Sequence, residues 1–389
     1  MAIFNVIPNV GIKETWEWKT DVLTTINGTE SRLSLRDRPR INLGADFNPL
    51  TDEERRNQWF TIFENIKSVF ATPVWPYSTK LTQFSANGTS KAFFDPTQIP
   101  LVDGELIILI KPTTGQAQSH FITTVDGTGA NLATALTSDI DSSWVAVPGF
   151  LAKIEASKFS LQALENRLRV GFKGMVDTPI QSSSSVAGPL DTLSDGNVVL
   201  NRTFITSEED IDYPREGLDY GGARAFFSQW QHARVKGPRR FITQRVLDPT
   251  DFDYWRLFFD TVKGNWKAFY ISTQKPDVTL AAPLVANASS FQVNEDVFDE
   301  ISFYSGFSQF EIKYADKTSS FHNLTSVGGN GGPGPYTYNI EPNLPNDAKV
   351  ANVERVSYLL KARMSDTVQL DHGAMSTVIS FDITGTDFG

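Results

Sequence analysis

Four histidines, forty-five carboxylates and no cysteine bound the chemistry this chain can perform. An enzyme needs a nucleophile beside a base, two carboxylates facing a cleft, or metal ligands at useful spacing. His120, His232, His322 and His372 lie far apart in the chain, and no two have the i, i+4 spacing that sets a ligand pair on one helical face. The lack of cysteine removes disulfides, thiolate metal sites and thiol nucleophiles together. Glu208-Glu209-Asp210 and the pair Asp139 and Asp141 offer carboxylates, but the glycine and glutamate that complete a calcium loop of the EF-hand type are missing, so solvated loops are expected. A glycosidase pair needs only proximity in space, and nothing in the sequence points to one. The glycine-rich stretch 328–335 lacks the lysine and Ser/Thr of a phosphate-cradling loop and reads as a long hairpin tip. The sequence thus leads to the expectation of a non-enzyme with no cofactor and no metal.

Basic residues gather in two places, Arg32, Arg36, Arg38 and Arg40, and again Arg234, Lys236, Arg239 and Arg240. The formal net charge is −10, which repels a phosphate backbone overall unless a concentrated basic face offsets it. Each group is short and set among apolar residues, so a structural or inter-subunit role in pairing with acidic groups is expected rather than a nucleic-acid site. The 28 Phe, 10 Tyr and 8 Trp raise a second possibility, sugars stacked on aromatic faces, against the competing reading of aromatic core.

These residues must be positioned by a chain of 389 residues, long enough for two domains that each bury a core. The order of parts recurs. Arg36-Asp37-Arg38-Pro39-Arg40 leads through Asn48-Pro49-Leu50-Thr51-Asp52 to an apolar-periodic segment and then to Thr72-Pro73-Val74-Trp75; Arg234-Val235-Lys236-Gly237-Pro238-Arg239 leads through Asp248-Pro249-Thr250-Asp251 to a like segment and then to Lys267-Ala268-Phe269-Tyr270. Such self-similarity decides architecture before any single motif does. The halves are placed at residues 1–176 and 201–389, with 177–200 as linker on composition and 328–335 as a loop inserted in the second half.

Each half is expected to hold one helix. Thr51 followed by Glu54 has the pattern of a capping box, and Trp59, Ile62, Phe63, Ile66, Val69 and Phe70 follow at helical spacing. In the second half Thr250 takes the cap position, Trp255, Phe258, Phe259 and Val262 form the stripe, and Gly264 stands where a helix would stop. Trp59, Phe63, Trp255 and Phe259 are the predicted core. The remainder reads as short strands between the turn signals Asn27-Gly28, Asn87-Gly88, Asp103-Gly104 and Asp126-Gly127. The predicted fold class is α+β, mainly β: two tandem related units, each an antiparallel sandwich or barrel with one flanking helix. The longest apolar runs, such as Leu106-Ile107-Ile108-Leu109-Ile110, are too short to span a membrane, and Met1-Ala2-Ile3-Phe4-Asn5 does not open a signal peptide, so no membrane association is expected.

The segment Glu14-Thr15-Trp16-Glu17-Trp18-Lys19-Thr20-Asp21-Val22-Leu23, then Gly28-Thr29-Glu30-Ser31-Arg32 and Leu35-Arg36-Asp37-Arg38-Pro39-Arg40, resembles tail proteins of long-tailed bacteriophages. Trp75-Pro76-Tyr77 supplies the tryptophan-proline turn of that pattern, and Ser31 departs from it where a glutamine is usual. The resemblance is strongest over residues 14–77 and is echoed at 224–272. It implies a fold like that of tail-tube proteins and a structural component of the tail tip or baseplate, either hub or distal tail ring, in the virion after assembly in the host bacterial cytoplasm. It also implies a homo-oligomeric ring, trimer or hexamer, that contacts the tail tube and other tail-tip proteins and meets DNA only in transit through its lumen. Arg36, Arg38, Arg40, Trp75, Lys236 and Arg239 are the candidate assembly residues. A receptor- or carbohydrate-binding module of the same tip is the alternative, and a tail-associated hydrolase a third.

Overall fold

The structure, a computed structural model, describes residues 2–5, 8, 11–24, 30–47, 62–64, 66–99, 101–154, 160–162, 167–175, 189–207, 210–212, 216–219, 224–227, 234–243, 249–294, 308–328, 335–345, 347–373 and 376–386. The chain is mainly β, built from antiparallel strands with little helix. The N-terminal half contributes β1 (Ala2–Ile3), β2 (Ile12–Glu17), β3 (Thr20–Thr24), β4 (Glu30–Ser34), β5 (Arg40–Phe47), β6 (Phe70–Pro73), β7 (Thr79–Lys80), β8 (Lys91–Phe93), β9 (Leu106–Lys111), β10 (Gln116–Asp126), β11 (Gly129–Leu132), β12 (Val145–Ile154), β13 (Ser160–Gln162) and β14 (Arg167–Gly174). The C-terminal half contributes β15 (Val198–Leu200), β16 (Thr206–Ser207), β17 (Asp210–Asp212), β18 (Glu216–Asp219), β19 (Arg224–Phe227), β20 (Arg234–Thr243), α1 (Pro249–Val262), β21 (Phe269–Ser272), β22 (Ser290–Val293), β23 (Gln309–Tyr314), β24 (Ser319–Gly328), β25 (Tyr336–Glu341), β26 (Val353–Met364), β27 (Thr367–His372) and β28 (Thr377–Gly385).

In the first half β1 runs parallel to β6, β6 pairs with β12, β12 with β14, and β14 with β5. In the second β15 runs parallel to β21, β21 pairs with β26, β26 with β28, and β28 with β20. A side sheet hangs from each long strand. On β12 it runs β9, β10, β11, β8; on β26 it runs β23, β24, β25, β22. Two isolated hairpins, β3 with β4 and β18 with β19, stand apart from the main sheet. Among the described residues one strand pairing joins the halves. β2 lies between β5 of its own half and β27 of the other, so a single sheet runs through both.

The side sheets bury their own apolar faces, around Phe94, Ile107 and Trp144 in the first half and around Phe291, Phe310 and Tyr358 in the second. The largest core belongs to both halves at once. Phe4, Trp16, Trp18, Phe150 and Phe172 come from the first, and Phe241, Trp255, Phe259, Phe269 and Phe381 from the second. Separate cores for the two domains are the simple expectation from length; the β2–β27 pairing instead brings both inner faces over α1.

Helix α1 is buried on most of its surface, at Phe252, Tyr254, Trp255, Phe258, Phe259 and Val262, because it sits between the two halves and not on an outer face. It opens at Pro249, one residue before the expected cap at Thr250; proline suits this place, since its fixed φ matches the helix and its missing N–H would be unpaired there. The helix stops as the sequence predicts, with Lys263 and Gly264 both left-handed at φ 52° and 67°. Gly264 also faces the first half: a Cβ there would lie 2.7 Å from Asp366 Oδ1 and 2.9 Å from Trp18 Cβ. Gly264→Ala is therefore expected to cost about 1–3 kcal/mol by strained φ and overpacking together, read as a shift in denaturation midpoint at unchanged slope.

In the first half the expected cap at Thr51 and Glu54, and Trp59, lie outside the described residues. Residues 62–64 are helical, but the helix does not continue along the predicted stripe. Ile62 is buried whereas Phe63 is 67% exposed and Ile66 is also exposed. Two reasons account for this correction. Neighbouring residues on a helix point about 100° apart, so the core takes Ile62 and not Phe63, and Phe70 is claimed by β6, where pairing with β1 and β12 overrides helical periodicity. Val198–Leu200, placed in the linker by composition, form β15 and are buried. The linker residues 177–188 and the loop residues 329–334 lie outside the described residues.

Candidate functional site

The place where chemistry-bearing side chains converge is the junction between the halves. Strand β2 alternates, and its inward set is Ile12, Glu14 and Trp16. A carboxylate thus takes an apolar position, with 0% of its surface exposed, and such a group must be hydrogen-bonded. It is: Trp16 Nε1 donates to Oε1 at 2.6 Å, and Tyr77 OH and His372 Nε2 reach Oε2 at 2.8 and 2.9 Å. Tyr77 arrives from the short 3-10 turn Trp75–Tyr77 that follows β6, while His372 is the last residue of β27. Burial pushes the Glu14 carboxyl up, but the hydrogen bond and charge of His372, with Trp16 and Tyr77, outweigh it and hold the group below its ordinary range.

Around this knot the rings of Tyr77, Phe252 and His372 pack edge-on or tilted at 5.6–6.4 Å. The Arg256 guanidinium lies 4.7 Å from the ring centres of both Tyr77 and Phe252 and bridges Asp253 at 3.0 Å. Asp253 is pushed up by burial, with Arg256 opposing. A second knot sits at the junction's rim. Asp366, in the turn between β26 and β27, accepts from the Thr20 backbone N–H at 2.8 Å, the Thr20 hydroxyl at 2.9 Å and the Asn265 N–H at 2.9 Å, while its own carbonyl accepts from the Trp18 N–H at 2.8 Å. Arg32 of the β3–β4 hairpin donates to the Asn265 carbonyl at 3.2 Å.

Glu14, His372 and Thr377 form an acid–imidazole–hydroxyl chain, since Thr377 Oγ1 lies 3.0 Å from His372 Nδ1. On geometry alone this resembles a hydrolytic triad. Its environment differs: the three are 0%, 4% and 1% exposed, and Glu14 already accepts from three donors. The chain fastens two halves of the protein together.

The candidate assembly residues lie around this junction without forming one cluster. Arg36 donates to the Glu17 carbonyl at 3.4 Å, Arg38 is exposed beside Glu105 and Asp260, and Arg40 opens β5 opposite Glu17. Lys236 stands opposite Asp210 in the pairing of β17 with β20. Arg239 is buried, donates to the Pro238 carbonyl at 3.2 Å and lies 5.3 Å from the Phe204 ring centre. Trp75 packs against the core rather than projecting; in its turn it is Tyr77 that reaches the junction. Of the four histidines, His232 lies outside the described residues. His120 and His322 are buried and pushed below the ordinary imidazole range by that burial, and each bonds the residue two positions before it, Gln118 and Ser320 respectively. Among the described residues no group of three or more His, Cys, Asp or Glu side chains could hold a metal.

Glu105, near this region, is pushed up to about 7 by burial that the Val102 N–H and the charges of Arg38 and Arg256 only partly offset. A carboxyl raised in the folded state binds a proton there that the unfolded chain has released, so stability should fall as pH rises from about 4.5 to 7. Glu105→Gln is expected to remove this loss and to stabilise the protein at pH 8 by on the order of 1 kcal/mol after allowance for its remaining solvent contact, measured by denaturation at pH 5 and pH 8.

Comparison with models of protein families and with curated protein sequences gives no match. The reading of function therefore stands on the geometry of this chain and on its sequence pattern.

Proposed function

We propose that this protein is a structural component of a bacteriophage tail tip or baseplate, a hub or distal tail ring that joins the tail tube to tip proteins around a DNA channel, and that it has no catalytic role. The observation that carries this reading is the matched pairing order of the two halves. β1, β5, β6, β12 and β14 find the same partners in the same order as β15, β20, β21, β26 and β28, and the side sheets match strand for strand. The match extends to single residues. Ala152 pairs with Gly174 on one side and Phe70 on the other, just as Ala362 pairs with Gly385 and Phe269. His120 and His322 fall at corresponding places, opposite Ile107 and Phe310. One unit used twice, 1–176 and 201–389, is the simplest account of such agreement.

A chain with two ring-forming units supplies six of them from three copies, which suits a hub on a sixfold tube; if one unit alone lines the ring, six copies are required, as in a distal tail ring. The acidic balance of the chain keeps a lumen from holding phosphate, and the arginine-rich stretch 36–40, beside Glu17, Glu105 and Asp260, serves structure. Imaging and light scattering of the purified protein and of assembled tips test the reading. Rings with three or six copies are expected; a stable monomer in the particle, or a copy number that is not a multiple of three, overturns it.

A further inference from the structure

The internal junction is a half-used device. In it β2, a strand on the free edge of β5, takes the free edge of β27. The second unit has its own counterpart of β2, namely β17 on the edge of β20, and the first unit has its own counterpart of β27, namely β13 on the edge of β14. Among the described residues neither β17 nor β13 has a strand on its other side. An edge of this kind presents unpaired N–H and C=O groups and is a template for another strand.

We infer that copies of this chain join head to tail by strand addition, β17 of one copy pairing antiparallel with β13 of the next and repeating between chains the β2–β27 junction made within one. This deepens the assembly reading and rests on its two-unit premise. The register follows from pairings already described. Thr15 stands opposite Asn42 in β5 and Gln369 in β27. Asn42 faces Lys173, which faces Lys153; in the second unit Lys236 faces Thr384, which faces Arg363. Asp210, opposite Lys236, is thus the counterpart of Thr15. On the other side Ser160 faces Arg169 as Gln369 faces Ser380, so Ser160 is the counterpart of Gln369. Asp210 of one copy is therefore placed opposite Ser160 of the next.

A contact that repeats the internal one turns each successive unit by the same rotation, so the units follow one another about a single axis. A head-to-tail interface of this sort closes into a ring when that rotation divides the circle. The β18–β19 hairpin follows β17 as β3–β4 follows β2, and β3–β4 grips the far half through Thr20 and Arg32. The same hairpin position is thus available to clasp the neighbouring copy.

The chain has no cysteine, so engineered pairs report without background. Residues directly opposite in an antiparallel pair have Cα atoms about 4.5–5.5 Å apart, within reach of a disulfide. The Thr15→Cys, Gln369→Cys double variant is the internal control and should close within one chain. Under mild oxidation the Asp210→Cys, Ser160→Cys double variant should give a covalent ladder between chains, while Asp210→Cys alone and Ser160→Cys alone give none. If light scattering finds the expected ring and the control closes but the 210–160 pair forms no link between chains, the strand addition is wrong and the assembly reading survives. A link between 210 and 160 within one chain also overturns it, and a monomer throughout overturns both.

Discussion

Glu14→Ala is expected to destabilise the protein by about 3–5 kcal/mol, because it strips one side from a buried charged network and leaves the other side without its acceptor. Three donors converge on this carboxylate, Trp16 from its own strand, Tyr77 from the turn after β6 and His372 from the other half. Each would lose its acceptor at a buried site, where an unmade hydrogen bond is costly. Glu14→Gln should cost less, since the amide oxygen keeps part of the acceptor capacity. The effect also has a pH signature. The folded carboxyl sits below its ordinary range, so its stabilising contribution is complete above the unfolded value of about 4.3 and is lost as pH falls through the lower folded value. Wild type should thus lose stability steeply in acid, and the Gln variant should lose less over the same window. Denaturant titrations at pH 7 and pH 3.5 measure both; a cost under about 1 kcal/mol at pH 7 would show that the network does not hold the halves together.

How much of this arrangement the sequence discloses depends on whether the cause is local. The mainly β class follows from turn signals and strand composition; Gly88, Gly104 and Gly264 adopt positive φ, whereas Gly127 of the Asp126-Gly127 signal does not. Helix α1 is legible because Trp255, Phe258, Phe259 and Val262 recur at helical spacing and Gly264 ends the run. The first-half helix misleads beyond Ile62 because the partners of β6, which take Phe70, lie far away in sequence. The junction is hidden for the same reason. Glu14 and His372 are 358 residues apart, and no motif links them. A local signal does exist on each strand: the inward sets Ile12-Glu14-Trp16 and Val368-Leu370-His372 place one ionisable residue on an apolar face, which marks a group that must find a partner. A lone histidine in the sequence does not disclose which carboxylate a buried imidazole bonds. Arginine density marks residues 36–40, where Arg36 bonds the Glu17 carbonyl and Arg38 lies exposed.

Trp255→Ala is expected to cost about 3–5 kcal/mol as well, and its consequences should not stay within the second half. Trp255 is 1% exposed and stacks on Phe259 at 5.6 Å and tilts against Phe241 at 4.7 Å. Phe259 in turn meets Trp16 and Trp18 of the first half at 5.5 and 6.2 Å. Removing the indole opens a cavity beneath the ring that joins the halves, and such cavities relax only in part. Phe63→Ala, at a site predicted to be core and found exposed, should by contrast change stability by less than about 1 kcal/mol. Because one core is shared, the halves should unfold together, and fluorescence and circular dichroism should report coincident transitions in wild type and variant alike. Two separated transitions, with only the later half of the chain weakened by the substitution, would mean that α1 stabilises its own unit and that the shared core adds no coupling between them.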